Sequence, residues 1–375
     1  MKICFVIHGL SMGGAEKFLI QLANYFNSIG INNDILLLSK NSELSKELNE
    51  EIKIIKFIRN SRYDLTIFKK IENHIKENCY DKIFCINTYA FFFVRMAMFN
   101  DYNIPLILSP HTTKAFSIYK YLQTFIYCRF IRENDKIIYL CKIQQQYLKK
   151  KYRYKNLNNE IIYNGINIEY FNPDIYHKKE IEIKRKELGI KESEKIIVQV
   201  ARISKEKRQI DSIKALSILH REYNLKAHLI LVGSGEDPLI KLLIQQIDQL
   251  ELNEYVHLAG SQQDVRKYYH ISDMFTLTSN SETFPISALE ALSFGLPCVL
   301  TNVGGVKEII VDDRYGQIAN VEDPGSIAVQ WNRVLKTKYD KKIIRDHIIN
   351  KFNDKVMLNE YKSIIEEKQF STYSN

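Results

Sequence analysis

Two glutamates eight residues apart, Glu282 and Glu290, flank a turn that leads into a helix-like segment. Glu282 ends the loop after the apolar run Met274–Leu277, and Glu290 lies within the segment Ser287–Phe294. Residues Ile286 to Ala288 would form the helix N-terminus, where free backbone N–H groups and the positive end of the helix dipole bind anions. A carboxylate one or two turns further in can accept two hydrogen bonds from neighbouring ribose hydroxyls, and a loop carboxylate can do the same for sugar hydroxyls. On residue chemistry alone, helix capping and a surface salt bridge remain open as their roles.

Other short patterns accompany the two glutamates along the chain. They are Gly295-Leu296-Pro297 with Gly304-Gly305 after Glu290, ARISKEKRQID from Ala201 to Asp211, GLSMGGAE from Gly9 to Glu16, Asn164-Gly165, and Ser109-Pro110-His111. Together they span residues 9 to 305. In order and spacing they resemble the signature of the large retaining glycosyltransferase family 4, which has the GT-B fold. The chain is similar to the bacterial members that assemble surface polysaccharides and lipid-linked glycans.

The resemblance implies a site for a nucleotide sugar in the second half of the chain. Arg202 and Lys207 match the family's Arg-x4-Lys loop, and their donors would clamp a diphosphate. Glu290 would bind the ribose hydroxyls and Glu282 the hydroxyls of the donor sugar. Solvated surface charges remain the alternative for the two cations. The further donor contacts that the resemblance implies are Gly14, Gly260, Phe284, Pro285 and Ile286.

The resemblance also implies an acceptor side in the first half. Gly13 and Gly14 would let the backbone approach the reacting phosphate and the acceptor, and a plain strand-to-helix turn is the alternative. His111 would lie near the donor sugar, with a structural histidine at a strand end as its alternative, and Asn164 would lie at the crossing between domains. The catalytic set implied is His111, Glu282, Arg202 and Lys207.

The chain departs from the family pattern at several positions. Pro285 stands where many members have Gly, Ala201 and Arg208 replace glycines, Asn167 replaces Asp, and Cys141 replaces Ser. No cation or carboxylate of the implied donor site is lost, so an active enzyme is predicted.

Several competing chemistries lack their motifs. No Asp-x-Asp occurs, which leaves a metal-clamped sugar-nucleotide site unsupported. Gly233-Ser234-Gly235 is followed by Pro238 instead of Gly, so the dinucleotide fingerprint fails. No metal and no cofactor are expected, since the nucleotide sugar is a substrate.

Apolar runs alternate with helix-like segments in both halves, which predicts two doubly wound Rossmann-like parallel-sheet domains, an α/β protein. The resemblance implies that they face each other across a cleft. The predicted strands are Lys2–His8, Asp34–Leu38, Ile104–Ser109, Lys136–Tyr139, Lys195–Val200, Ala227–Val232, Tyr255–Leu258, Met274–Leu277 and Pro297–Leu300. Residues 1–168 are assigned to acceptor binding and 169–351 to nucleotide-sugar binding. A charged helical segment, Lys341 to Lys368, would follow, and its part from about 352 to 370 would cross back onto the first domain.

The positive charge is concentrated in the first half. Residues 1–180 hold 26 basic and 17 acidic residues, a difference of +9 that equals the net charge of the chain. An aromatic run with cations, Ala115 to Arg132, precedes the basic stretch Lys149 to Lys155. This mixture favours an anionic membrane surface, with a core helix and a solvated basic loop as the alternative. No nucleic-acid motif accompanies the charge, so nucleic acid is not an expected partner.

Composition sets the class of protein. The chain has 375 residues, 45% hydrophobic and 26% charged, which is typical of a globular protein of two domains. No run of about 18 apolar residues occurs, and the N-terminus lacks a signal-peptide cleavage site, so a cytoplasmic location, peripheral at the inner face of the membrane, is expected. The six cysteines form no C-x-x-C pair and are expected to be free thiols.

These observations lead to one functional prediction and two alternatives. We predict a metal-independent retaining glycosyltransferase that moves a hexose or N-acetylhexosamine from a UDP-sugar to a glycan or a polyprenyl-diphosphate-linked acceptor. A sugar-nucleotide epimerase of GT-B fold would transform the UDP-sugar with no acceptor present. A non-catalytic nucleotide-sugar-binding protein would keep the site without turnover.

Overall fold

The computed structural model describes residues 1–11, 13–61, 64–99, 106–112, 117–153, 158–176 and 178–367. Their contacts divide the chain into two compact units. The first unit comprises Met1–Asn164 and the chain from Val356, and the second comprises Gly165–Lys355. The predicted element starts at Ile104, Ala115 and His177, the predicted end at Lys368 and the basic residue Lys155 lie outside the described residues.

Parallel strands form the centre of both units. The strands are β1 (Lys2–Ile7), β2 (Asn32–Leu37), β3 (Lys53–Lys56), β4 (Lys82–Ile86), β5 (Leu106–Ser109), β6 (Lys136–Tyr139), β7 (Asn159–Ile161), β8 (Lys195–Val200), β9 (Ala227–Val232), β10 (Val256–Gly260), β11 (Met274–Leu277), β12 (Cys298–Thr301) and β13 (Gly316–Ala319). The described residues form a seven-stranded sheet of order β3-β2-β1-β4-β5-β6-β7 and a six-stranded sheet of order β10-β9-β8-β11-β12-β13. Each sheet reverses its strand order beside its first strand, so the prediction of two doubly wound sheets is confirmed.

Helices follow most of the strands. They are α1 (Gly14–Ser28), α2 (Thr66–Asn78), α3 (Asn87–Ala97), α4 (Ile118–Tyr127), α5 (Lys142–Tyr152), α6 (Lys178–Glu187), α7 (Gln209–Tyr223), α8 (Asp237–Gln249), α9 (Arg266–Ile271), α10 (Ile286–Ser293), α11 (Val306–Ile309), α12 (Pro324–Lys336), α13 (Lys341–Lys351) and α14 (Asp354–Glu366). Among the described residues, each helix is too short or too polar to cross a bilayer.

The first unit has a hydrophobic core on each face of its sheet. On one face, Phe5 and Phe84 from the strands pack with Phe26 of α1 and Tyr361 of α14. On the other face, α2 and α3 supply most of the helical contacts. Because Tyr361 is fully buried in this core, α14 is an integral layer of the first unit.

In the second unit, α7 and α12 pack together on one face of the sheet. Trp331 of α12 is fully buried and its indole N–H donates to Thr276 Oγ1 at 3.0 Å. This side chain fills the space between helix and sheet while its polar atom is satisfied, as burial of a tryptophan requires.

The helical segment predicted from Lys341 consists of two helices, because the chain leaves the helix between α13 and α14. Ile166 N–H donates to the Phe352 carbonyl at 2.9 Å, and Asp354 N–H donates to the Ile166 carbonyl at 3.0 Å. Phe352 N–H still donates to the Ile348 carbonyl at 2.8 Å, and Asn353 then forms a parallel bridge with Ile166, so the hydrogen bonds of α13 end here. The backbones are so close here that a Cβ added to Gly165 would lie 2.7 Å from the Cα of Asp354.

Candidate functional site

The loop between β8 and α7 carries Lys207, and buried polar side chains hold its backbone. Thr278, at the carboxyl end of β11, donates its hydroxyl to the carbonyls of Lys207 and Arg208 at 3.2 and 2.9 Å. Gln199 Nε2 approaches the Lys207 carbonyl at 3.3 Å, and Ser212 Oγ donates to Gln199 Oε1 at 2.6 Å. This network joins two strand ends to one loop, which limits the positions that the Lys207 side chain can reach.

Sequence reasoning did not identify this network. Gln199 and Thr278 are almost completely buried at the ends of apolar strands. A polar residue in such a run was the available signal, since buried polar groups need partners.

Lys207, between β8 and α7, forms an ion pair with Glu282, which lies in the loop between β11 and α10. Lys207 Nζ lies 2.6 Å from Glu282 Oε1, and the side chain of Glu282 is only 10% exposed. Ser279 Oγ donates to the same oxygen at 2.6 Å. A salt bridge was one expected role for Glu282, but this one is half-buried and has a hydroxyl as its third member. The carboxylate is therefore oriented as well as charge-compensated.

Arg202 lies on the same loop with a different environment. Its side chain is exposed, and within the described residues its guanidinium makes no hydrogen bond or ion pair. Its backbone is fixed, since Gln209 Nε2 donates to the Arg202 carbonyl at 2.9 Å. A cation on a fixed backbone with an accessible head is suited to bind an anion.

Glu290, in the middle of α10, contacts a buried phenol. Tyr269 of α9 donates its hydroxyl to Glu290 Oε2 at 2.6 Å. Burial, followed by the charge of Glu290, raises the pKa of Tyr269 well above its usual value. The phenol therefore stays protonated and remains a hydrogen-bond donor.

The turn before α10 is shaped by close backbone contacts. Pro285 precedes the first helical residue, Ile286, and Phe284 is buried with its ring centre 5.5 Å from that of Phe352. Gly304 has a φ of +53°, and an added Cβ would lie 2.2 Å from the Glu282 carbonyl oxygen. Gly304 therefore allows the β12–α11 loop to approach the loop of Glu282.

Gly260 ends β10 with a φ of +65° and open space where a Cβ would stand. Its carbonyl accepts from Gly233 N–H at 2.8 Å. The ends of β9 and β10 are thus joined by a backbone hydrogen bond.

In the first unit, Gly13 and Gly14 form the start of α1. Gly13 is the N-cap residue, and a Cβ there would lie 2.3 Å from Glu16 Oε2. Lys17 N–H donates to the Gly13 carbonyl at 3.1 Å. The Glu16 carboxylate therefore lies over Gly13, in the space that a side chain at this position would need.

His111 follows β5 and packs its ring on Phe18, with ring centres 4.6 Å apart. Its Nε2 lies 3.3 Å from Ser109 Oγ, and its backbone N–H donates to Asn87 Oδ1 at 2.7 Å. Burial lowers the pKa of His111 to about 3. The imidazole is therefore neutral at physiological pH, and it can accept or donate a hydrogen bond without carrying charge.

Asn87 was not predicted as a functional residue. It adopts a φ of 69°, which Asn tolerates better than most residues, and its Oδ1 also accepts from Thr112 Oγ1 at 3.0 Å. Asn87 thus ties the ends of β4 and β5 together beside His111. Asn164 is buried where the first unit ends.

A cavity of about 470 Å³ opens at the carboxyl ends of β1, β4 and β5. Its lining combines aromatic rings and neutral polar groups with one cation, and includes His8, Asn87, Tyr89, Lys120, Gln123 and Tyr127. Clefts at strand ends beside a reversal of strand order are where ligands of doubly wound sheets bind. Of the expected site residues, the structure joins Lys207 with Glu282 in the second unit. It places His111 and the Gly13–Gly14 turn in the first.

The whole chain is similar to known proteins. Two family models match it, "Glycosyltransferase Family 4" over residues 12–170 and "Glycosyl transferases group 1" over residues 180–351. N-acetyl-alpha-D-glucosaminyl L-malate synthase of Bacillus anthracis is 29% identical over 213 residues, 56% of this chain and 54% of the relative. The chain thus spans about half the length of that relative. UDP-Gal:alpha-D-GlcNAc-diphosphoundecaprenol alpha-1,3-galactosyltransferase of Escherichia coli is 24% identical over 334 residues, 84% of this chain and 78% of the relative.

A crystal structure of the Anabaena protein HepE with UDP and glucose has a TM-score of 0.84 and 20% identity, covering 98% of this chain and 100% of that one. The two parallel sheets and this likeness define the class, a protein of the GT-B fold. The two models cover the first and second units in turn, and the chain belongs to glycosyltransferase family 4.

Proposed function

We propose that the protein is a retaining glycosyltransferase. It transfers a hexose or N-acetylhexosamine from a UDP-sugar to a glycan or polyprenyl-diphosphate-linked acceptor in surface polysaccharide or glycan assembly. The observation that carries the proposal is the ion pair of Lys207 and Glu282, with the exposed Arg202 on the same loop as Lys207. The proposal assigns diphosphate binding to the two cations and sugar binding to Glu282, at the strand ends of the second unit.

The chemistry assigned to the second unit requires no metal and no cofactor. Arg202 and Lys207 stabilise the negative charge that develops on the diphosphate as the bond between the sugar C1 and the phosphate oxygen breaks. The acceptor hydroxyl forms the new bond to C1 on the same face, and its proton passes to a phosphate oxygen. Glu282 holds the sugar hydroxyls, Glu290 the ribose hydroxyls, and the turn at Ile286 the remaining donor oxygens.

Residues 1–168 are assigned to the acceptor and 169–351 to the donor. The cavity at the ends of β1, β4 and β5 accommodates a glycosyl unit of the acceptor, because tyrosine rings and neutral hydrogen-bonding groups suit a sugar. His111 contributes a neutral imidazole next to this cavity, whose wall includes its chain neighbours Pro110 and Thr112.

Two findings on similar proteins support the substrate class. The Escherichia coli relative is named for transfer from UDP-Gal to a diphosphoundecaprenol-linked acceptor, and the Anabaena structure contains UDP and glucose. Transfer of these properties to this chain is part of the proposal.

An anionic membrane surface is the proposed location of the acceptor, with the protein peripheral at the inner face of the cytoplasmic membrane. Helix α4 exposes a row of apolar side chains, Ile118, Tyr119, Leu122 and Ile126. A groove of about 670 Å³ beside it is lined by Tyr121, Phe125, Tyr147, Lys150, Lys151 and Arg153. Apolar anchors next to cations are the composition of a surface that rests on acidic lipids.

The proposed donor site is tested by thermal unfolding with UDP, GDP, ADP and CMP. A nucleotide at 100 times its dissociation constant stabilises the folded state by about 2.7 kcal/mol. We expect a shift with UDP in the wild type and in Glu222→Ala, an exposed carboxylate of the same unit, and none in Glu290→Ala.

The outcomes separate the alternatives. A shift with GDP alone would keep the enzyme class and replace the donor. No shift with any nucleotide would overturn the donor site. If UDP binds, product analysis with and without acceptor decides the rest: an isomerised UDP-sugar without acceptor indicates the epimerase, and no product indicates a binding protein.

A further inference from the structure

Tyr269 makes the contact that orients the Glu290 carboxylate. Its ring is fully buried on α9, with ring centres 6.0 Å from Phe275 of β11 and 5.7 Å from Phe294 after α10. Its hydroxyl lies 2.6 Å from Glu290 Oε2 and 3.5 Å from the Ser287 carbonyl. The short bond goes to the carboxylate, and the long one to the first turn of α10.

The surroundings of the ring are apolar, so packing alone requires only an aromatic ring. A buried hydroxyl costs free energy unless it has a partner. The partner here is the side chain that the proposed function assigns to the ribose. The hydroxyl therefore acts on the position of a carboxylate more than on the core.

We propose that Tyr269 is a positioning residue, which holds the Glu290 carboxylate in the orientation that binds the two ribose hydroxyls of the donor nucleotide. This inference rests on the proposed function. A carboxylate has about four lone-pair sites, so one hydrogen bond from Tyr269 is compatible with two from a vicinal diol.

A flexible glutamate side chain otherwise has several rotamers, and each hydrogen bond to ribose would have to select one of them. With Tyr269 in place, the selection is made before the nucleotide binds. The phenol does this without a change of charge, since its raised pKa keeps it protonated.

The test compares Tyr269→Phe with the wild type by isothermal titration of UDP and of 2′,3′-dideoxy-UDP. We expect the affinity for UDP to fall about tenfold in Tyr269→Phe, as for a lost hydrogen bond to a charged group. The affinity for the dideoxy nucleotide, which lacks both hydroxyls, should stay the same. The variant thus loses discrimination between the two ligands.

Tyr268→Phe is the matched control. This neighbour is also buried on α9, but its ring faces the Lys184 ammonium, 5.3 Å from the ring centre. We expect Tyr268→Phe to bind both nucleotides like the wild type. The dideoxy nucleotide also reports whether Tyr269→Phe is folded.

Two results with Tyr269→Phe would overturn the positioning role: unchanged affinity for UDP, or an equal loss of affinity for both nucleotides, which would indicate general support of the site. Failure of the proposed function looks different, because the wild type itself would then bind no UDP. Wild-type binding of UDP without discrimination against the dideoxy form would also overturn the role, since Glu290 would not be reading the ribose.

Discussion

At the scale of single residues, the proposed donor site depends on groups that are already paired with each other. Lys207 and Glu282 compensate each other's charge, and Ser279 fixes the shared oxygen. An ammonium has three donors, so Lys207 can bind a phosphate oxygen while it keeps Glu282. The ion pair therefore holds both side chains in position, so that binding of the proposed donor would require little rearrangement of either.

His111 should make the free energy of unfolding depend on pH. Its pKa is about 3 in the folded protein and about 6.5 when unfolded, so the unfolded state binds the additional proton between these values. The contribution of neutral His111 to the free energy of unfolding is therefore fully present above about pH 6.5, and it is lost as the pH falls toward 3. At pH 4.5 the loss due to His111 should be about 2 kcal/mol, after allowance for its partial exposure.

Urea unfolding of the wild type and of His111→Gln at pH 7 and pH 4.5 measures this loss. Other buried histidines contribute to both proteins, so only the difference between them reports on His111. We expect the variant to lose less stability on acidification. An equal loss in both proteins would mean that His111 is protonated alike in the folded and unfolded states.

At the scale of elements, most of the apolar strands were predictable, whereas the two edge strands of the first unit were not. The strands β6, β8, β9 and β11 run over the predicted residues, because each is an apolar, β-branched run buried on both faces. The edge strands β3 and β7 have only four and three residues, with charged ends or centre, and this pattern is also that of a loop.

The site was predictable where it follows from a motif and not where it follows from a contact between distant residues. Arg202, Lys207, Glu282 and Glu290 stand in short patterns, so the sequence alone indicated them. Asn87 acts on His111, and Tyr269 on Glu290, through the fold. Partners of this kind are fixed by tertiary packing, which leaves no mark on local sequence.

The loop after β12 lies close to the loop of Glu282 at Gly304. Gly304→Ala places a Cβ 2.2 Å from the Glu282 carbonyl oxygen at a φ of +53°. The backbone must then move, and we expect a loss of about 3 kcal/mol or more in unfolding free energy, together with loss of the UDP-induced thermal shift.

Gly189→Ala is the control for backbone conformation alone. Its φ is +70°, and nothing lies within 4 Å of the added Cβ. It should cost about 1 kcal/mol and leave the response to UDP intact. If Gly304→Ala costs no more than Gly189→Ala, the close approach to the Glu282 loop does not constrain the site.

At the scale of the whole molecule, the two units share an architecture but not a charge. The excess of +9 lies within residues 1–180, and residues 117–153 alone hold nine basic and two acidic residues, a difference of +7. This segment contains the exposed apolar row of α4 and the cations of the groove. The charge is thus concentrated on one part of the first unit, next to its exposed apolar side chains.

Membrane binding through this part predicts a dependence on charge that a soluble acceptor would not produce. Each cation near an anionic surface contributes about 1 kcal/mol, so replacement of Lys150, Lys151 and Arg153 by Gln should weaken binding to vesicles with acidic lipid at least about tenfold. Co-sedimentation with acidic and with neutral vesicles measures it. The wild type should bind the acidic ones more tightly and should dissociate with added salt.

The matched control replaces Lys336, Lys338 and Lys342 by Gln, three exposed lysines of the second unit. It removes the same net charge from the chain, so a general charge effect would weaken both triple variants equally. We expect only the groove variant to lose binding while both keep the response to UDP, because neither touches the donor site. Equal loss of vesicle binding in the two variants would contradict a membrane role for the groove, and so would wild-type binding to neutral vesicles that is as strong as to acidic ones. The positive charge would then serve solubility, and the acceptor would be a soluble molecule.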